Sequence, residues 1–212
     1  MSGALTPEQI EALFTRSAGG FLFARWGKPI VPVVFGVEDK TLEVVKGAFE
    51  AVCVLSGHKM AETDPELGAN CMVFFFRDWQ EVLDLPDLGR MIDGLEPLVA
   101  RLRREGANQY RHFRFDPDGS IKAAFVFLCM DEALQAMDAE ALALTQVVQT
   151  ALLWSDTAFR ETSPLGRLPS GTVILRPEIA GLLRAAYDRM LPPVSRDAAT
   201  ALRLYARLVA QP

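Results

Sequence analysis

Thr145, Gln146 and Gln149 stand at positions i, i+1 and i+4 of a stretch, Ala141 to Ser155 (ALALTQVVQTALLWS), with no charged residue in a chain of which 23% is charged. On a helix, residues four apart lie one above the other on one face. Two ligands at that spacing can share a metal ion, and a carboxylate beside the first can act as the base for a metal-bound water. The residues here suit neither task. Threonine and glutamine amides are poor zinc ligands, and Gln146 has the shape of a glutamate without its basicity. The spacing fits metal-assisted hydrolysis, but the groups that would perform it are replaced.

Other residues that could carry chemistry are sparse. The chain has two histidines, His58 and His112, so a shared metal would have to join a loop after one helix to a hairpin strand. Lone histidines more often sit at the surface or hydrogen-bonded in a core. Asp116 and Asp118 in Asp-Pro-Asp-Gly look like part of a calcium loop but lack its other ligands and its distal glutamate, and a hairpin turn accounts for them. Ser163 and Ser170 lie in a loop without the Gly-x-Ser-x-Gly elbow, and no phosphate-binding loop or dinucleotide fingerprint occurs. Trp26, Trp79 and Trp154 are spaced as core residues. An unorthodox, metal-dependent hydrolytic site would have to draw on His58, His112, Asp156, Glu161 or Glu178.

The elements that would position these groups follow from patterning. Half of the 212 residues are hydrophobic, enough for a full core, and one domain is expected over 1–212. The N-terminal helix should occupy residues up to 20, the sheet and buried helix 21–156, and a loop, a short strand and C-terminal helices 157–212. Thr6-Pro7-Glu8-Gln9 reads as a capping box with proline at the first helical position, the helix ending near Gly19-Gly20. The segment from Phe21 to Gly36 is a strand region that Pro29 and Pro32 confine to an edge or a bulge. Asp39 is expected to cap a helix ending at Gly57, and Cys71 to Phe76 is a buried strand. Residues Asp84 to Gly106 read as two helices broken at Pro97. Tyr110 to Phe115 and Ile121 to Met130 form a hairpin around the Asp-Pro-Asp-Gly turn.

The uncharged stretch should be one buried helix from Ala139 to Trp154, capped by Asp138 with Glu140 in its first turn. It should lie on a mixed sheet containing Ile30 to Phe35, Cys71 to Phe76 and Ile121 to Met130. Inside it, Gln146 and Gln149 should find hydrogen-bond partners, and the Thr150 hydroxyl should return to the Gln146 carbonyl. After a loop to about Ser170 come a strand, Thr172 to Leu175, and helices Pro177 to Met190 and Ser195 to Ala210.

A net charge of −5 and a pI near 5.2 exclude a nucleic-acid-binding surface built from basic clusters. The fifteen-residue uncharged run is shorter than the ~18 residues of a spanning helix. Cys53, Cys71 and Cys129 are an odd, widely spaced set in apolar surroundings, expected to be free thiols in a reduced compartment. A cytoplasmic location is expected, unless a leader precedes the first residue.

In order and pattern the chain resembles the zincins, whose N-terminal half packs a mixed sheet on two helices and places His-Glu-x-x-His on the second. Thr145 would fall at the first histidine, Gln146 at the glutamate, Gln149 at the second histidine and Ser155 at the third histidine of the extended motif. More closely, it resembles a bacterial family of uncharacterised zincin-like proteins. That likeness rests on Phe23-Ala24-Arg25-Trp26 with Pro29, on Val148-Gln149-Thr150-Ala151 running to Ser155-Asp156, and on Ile179 to Asp188. The family's helix looks like Glu-x-x-x-Gln, and here the glutamate is itself replaced by Gln146. The resemblance implies an α+β zincin-like fold with a mixed sheet on a buried helix. It also implies an absence of catalysis, so a module without cofactor or metal that binds a peptide or protein partner is the function expected here, the unorthodox hydrolase being the alternative; Glu178 would stand near the glutamate that some zincins supply from a later helix.

Overall fold

The computed structural model describes residues 5–211, and the chain is mixed α and β. Helix α1 (Pro7–Phe14) opens with the capping box, the Thr6 side chain accepting from the Gln9 amide and Gln9 Oε1 accepting from the Thr6 amide. It ends at Phe14, before the expected Gly19-Gly20. Those glycines, both at φ +89°, instead turn the chain back on itself, so that Arg16 N donates to Gly20 O and Leu22 N to Phe14 O.

Strand β1 (Phe23–Ala24) and strand β2 (Pro32–Phe35) follow, then helix α2 (Asp39–Ser56), which Gly57 ends in the left-handed region at φ 72°. Glu38, not Asp39, is the N-cap, and it makes no side-chain cap bond. Strand β3 (Cys71–Phe76) matches its expected bounds. The next segment holds three short helices, α3 (Gln80–Asp84), α4 (Leu88–Met91) and α5 (Leu95–Arg104). Pro97 breaks none of them: it sits in the first turn of α5, where an N–H would lack an intrahelical partner anyway.

Strand β4 (Gln109–Phe115) and strand β5 (Ile121–Cys129) form the expected hairpin, with Gly119 N donating to Asp116 O and Asp116 N to Ser120 O. After helix α6 (Glu132–Gln135) comes the uncharged helix α7 (Ala139–Ala151). It starts as expected, although Asp138 contributes its backbone carbonyl to Leu142 N and not its side chain. It stops three residues before Trp154 because Leu152 is extended and pairs with Arg25, while Leu153 N donates to Ala24 O. The loop beyond contains a hairpin, strand β6 (Leu165–Arg167) with strand β7 (Val173–Leu175), where one strand was expected. Helix α8 (Pro177–Ala186) ends short of Met190. Residues Val194–Ser195 form strand β8 against β1, so helix α9 (Ala199–Val209) begins after Ser195.

The main sheet has the order β2-β3-β5-β4, with β2, β3 and β5 parallel and β4 antiparallel at the edge. Pro32 therefore falls on an edge strand, where its missing donor does no harm. One sheet face packs against α2 and α7 in a core that includes Val73, Val126 and Leu128 from the sheet, Phe49 from α2 and Val148 from α7. The other face carries Phe74, Phe76, Phe125 and Phe127 against α3, α4 and α5. Cys53 and Cys71 are buried free thiols and Cys129 is half-buried. Burial pushes the Cys53 thiol up to about 11, far from a reactive thiolate.

Candidate functional site

Of the polar residues of helix α7, Gln146 is the one that hydrogen-bonds to edge strand β4. Thr145 turns its hydroxyl back to Ala141 O at 2.8 Å, and Thr150 does the same to Gln146 O at 2.7 Å, as expected for that residue. Gln146 is 4% exposed, and its amide is held at both ends: Oε1 accepts from Arg111 Nη2, and Nε2 donates to Gln109 Oε1 at 3.3 Å. Arg111 Nη2 also donates to Gln109 Oε1, at 3.1 Å. Both amide oxygens thus point at one guanidinium, which fixes the orientation of both amides. Arg111 is half-buried with its Nε shut off from solvent, and this desolvation pushes its pKa down to about 10, so it remains charged at neutral pH.

Gln149 departs from the expectation of a partner. Among the described residues its side chain makes no hydrogen bond, and it faces a cleft of about 510 Å³ between β4, the end of α5 and the C-terminal end of α7 with the loop that follows it. The amide is half-buried and opens to solvent through this cleft, so Gln149→Leu should change stability by no more than about 0.5 kcal/mol. Thermal melts of the two proteins check this, and a clear loss of stability in the variant would restore a structural role for Gln149.

The C-terminal end of α7 is closed by three aromatic donors from distant parts of the chain. Trp154 Nε1 donates to Val148 O at 2.8 Å, Trp26 Nε1 to Thr150 O at 2.9 Å and Tyr187 Oη to Ala151 O at 2.6 Å. The last carbonyls of a helix have no intrahelical partner, and in a dry core they need donors of this kind. These residues lie in or beside the three segments Phe23–Trp26, Val148–Asp156 and Ile179–Asp188, which therefore meet at one point.

The remaining candidates do not assemble. Ser155 is buried and accepts from Thr157 N and Ala158 N, shaping the turn after the helix. Asp156 accepts from the Ser17 amide and hydroxyl, which hold its carboxyl below the usual range, and Arg160 lies 4.0 Å away. His58 packs on Tyr187, at a ring separation of 4.7 Å, and its Nε2 is 2.9 Å from Lys28 O. A carbonyl only accepts, so Nε2 carries the proton in the neutral ring, and desolvation lowers the pKa. His112 lies against Phe125 on the opposite sheet face. The two histidines share no site. Glu161 is exposed on a separate surface hollow, and Glu178 is buried in the first turn of α8 and paired with Arg176. Among the described residues no three His, Cys, Asp or Glu side chains converge as a metal would require.

Arg111 and Gln109 are the functional candidates that the sequence did not disclose. In YRHFRF both faces of the strand mix large and polar side chains, so alternation alone does not tell which face meets the helix. Phe113 in the helix-side core and Tyr110 in the other decide it, and put Arg111 beside α7. No helix among the described residues is long and apolar enough to cross a membrane. Comparison with protein-family models, with curated proteins and with solved structures finds no match.

Proposed function

We propose that the chain is a zincin-like module without peptidase chemistry, and that it uses the cleft between β4 and α7 to bind a peptide or protein partner. What carries this reading is the state of Gln146, where a zincin has its general base. Its amide is buried and committed to Arg111 and Gln109, so it can neither take up a proton nor reach a water. The order strand, helix, strand, hairpin, helix supports the zincin likeness, as does the packing of α2 and α7 on one face of a mixed sheet. Neither Thr145, its hydroxyl returned to the helix, nor Gln149 supplies a zinc ligand. The residues present do not fit a zincin metal.

Purified protein should accordingly hold far less than one zinc per chain when measured by plasma mass spectrometry, and should leave unstructured peptides intact. One zinc per chain, lost on His58→Ala or His112→Ala and accompanied by peptide cleavage, would establish the metal-dependent hydrolase instead.

A further inference from the structure

Arg111 is a half-buried cation with no anion beside it among the described residues. Its Nη2 has the two amide oxygens of Gln109 and Gln146, its Nε is sealed from solvent with no acceptor, and no carboxylate among the described residues forms an ion pair with it. Neutral dipoles offset only part of the cost of removing a guanidinium from water, and buried charges are ordinarily paired. The side chain forms part of the cleft wall, so an anion arriving from solvent is the partner this arrangement lacks.

The rest of the cleft has a matching character. Arg16, Arg101 and Arg160 also line it, four arginines in all against the carboxylates of Glu105 and Asp156. Asp156 is already engaged by Ser17 and Arg160. Arg101 is exposed and lies over the Tyr110 ring at 6.0 Å. Low-dielectric walls around charges of one sign focus their field and draw in the opposite charge. Leu153, Trp154 and Phe159 supply an apolar flank, which suits an anion carried on an organic body. Phe159 is held there in the left-handed region at φ 62°, its ring edge-on to Trp154 at 4.9 Å.

We propose that this cleft is a binding site for an oxyanion, a carboxylate or phosphate group borne by its ligand, which pairs with Arg111 after being drawn in by Arg16, Arg101 and Arg160. This rests on the reading of the cleft as a binding surface and adds the chemistry that it recognises. With Nη2 committed to the two amide oxygens and Nε shut off from solvent, Nη1 is the edge of the guanidinium left to meet an oxyanion, and a hydrogen bond between two charged groups is stronger than one between neutral groups.

The test uses the full chain with ¹⁵N-labelled arginine, titrated with three probes: acetyl-trialanine as the free acid, its C-terminal amide, and inorganic phosphate. The free acid should shift the Arg111 Nε–H resonance and the amide should not; a response to phosphate as well extends the site to oxyanions generally. Arg111→Gln should weaken binding at least tenfold, in line with a hydrogen bond to a charged group. Should that variant fold poorly, Arg101→Ala changes only an exposed side chain and should weaken binding several-fold, the more so at low salt. Failure of both the free acid and phosphate to bind, or equal binding of acid and amide, overturns the oxyanion site. Equal binding of acid and amide leaves the binding module standing, whereas stoichiometric zinc with peptide cleavage overturns that module itself.

Discussion

Gln146→Leu is expected to cost about 2 kcal/mol in the native background and close to nothing when combined with Arg111→Met. In the first case leucine removes an acceptor from a half-buried guanidinium, and hydrogen bonds to charged groups contribute about 1.5 to 3 kcal/mol. In the second the guanidinium is gone, Gln109 is half-exposed and can turn to water, and leucine beside methionine adds to the apolar core. Replacing both members of a buried polar pair by apolar residues of similar volume is often neutral or stabilising. The coupling between the two sites, read from denaturant unfolding of the four proteins in the cycle, should therefore be about 2 kcal/mol. Equal costs of Gln146→Leu in the two backgrounds would show that Arg111 does not depend on the helix amide.

Tyr187→Phe should lower the melting temperature by about 4 to 8 °C. The substitution removes one oxygen atom and no packing, but it leaves the carbonyl of Ala151 in the core without its donor. An orphaned buried acceptor costs about 1 to 3 kcal/mol, and the middle of that range, about 2 kcal/mol, corresponds to this fall at roughly 2 to 4 °C per kcal/mol in a chain of this size. Tyr205, half-buried on α9 with no hydrogen bond from its hydroxyl among the described residues, provides the control. Tyr205→Phe should melt with the native protein, and a matching loss in both variants would remove the special role of the helix end.

Features decided within a few residues were legible in the sequence. The capping box at Thr6, the stop at Gly57, strand Cys71–Phe76 and the Asp-Pro-Asp-Gly hairpin each depend on local chemistry and stand where expected. Helix ends set by partners far along the chain were not legible. Nothing near Ala151 announces that residue 152 will pair with Arg25, and nothing near Met190 announces that Val194 and Ser195 will join Phe23 and Ala24. At the site, the sequence required that a glutamine on a buried helix be satisfied, and Gln146 is. It did not identify the partner, because the face on which Arg111 lies depends on the register of β4 against β5, which only the folded sheet fixes. Gln149 escaped the same requirement because the helix is open to a cleft at that point.

The aromatic closure of α7 also bears on the order in which the chain can fold. Its donors come from positions 26, 154 and 187, so the final turn of the helix depends on segments that leave a ribosome at very different times. Until residue 187 has emerged and α8 has docked, the carbonyl of Ala151 must keep its water, and the helix cannot enter a dry core without penalty. The central helix can form early from local contacts, but its burial completes only with the arrival of α8. Closing so long a loop before the contact rewards it is a recognised brake on folding, and ties consolidation of this core to the emergence of α8.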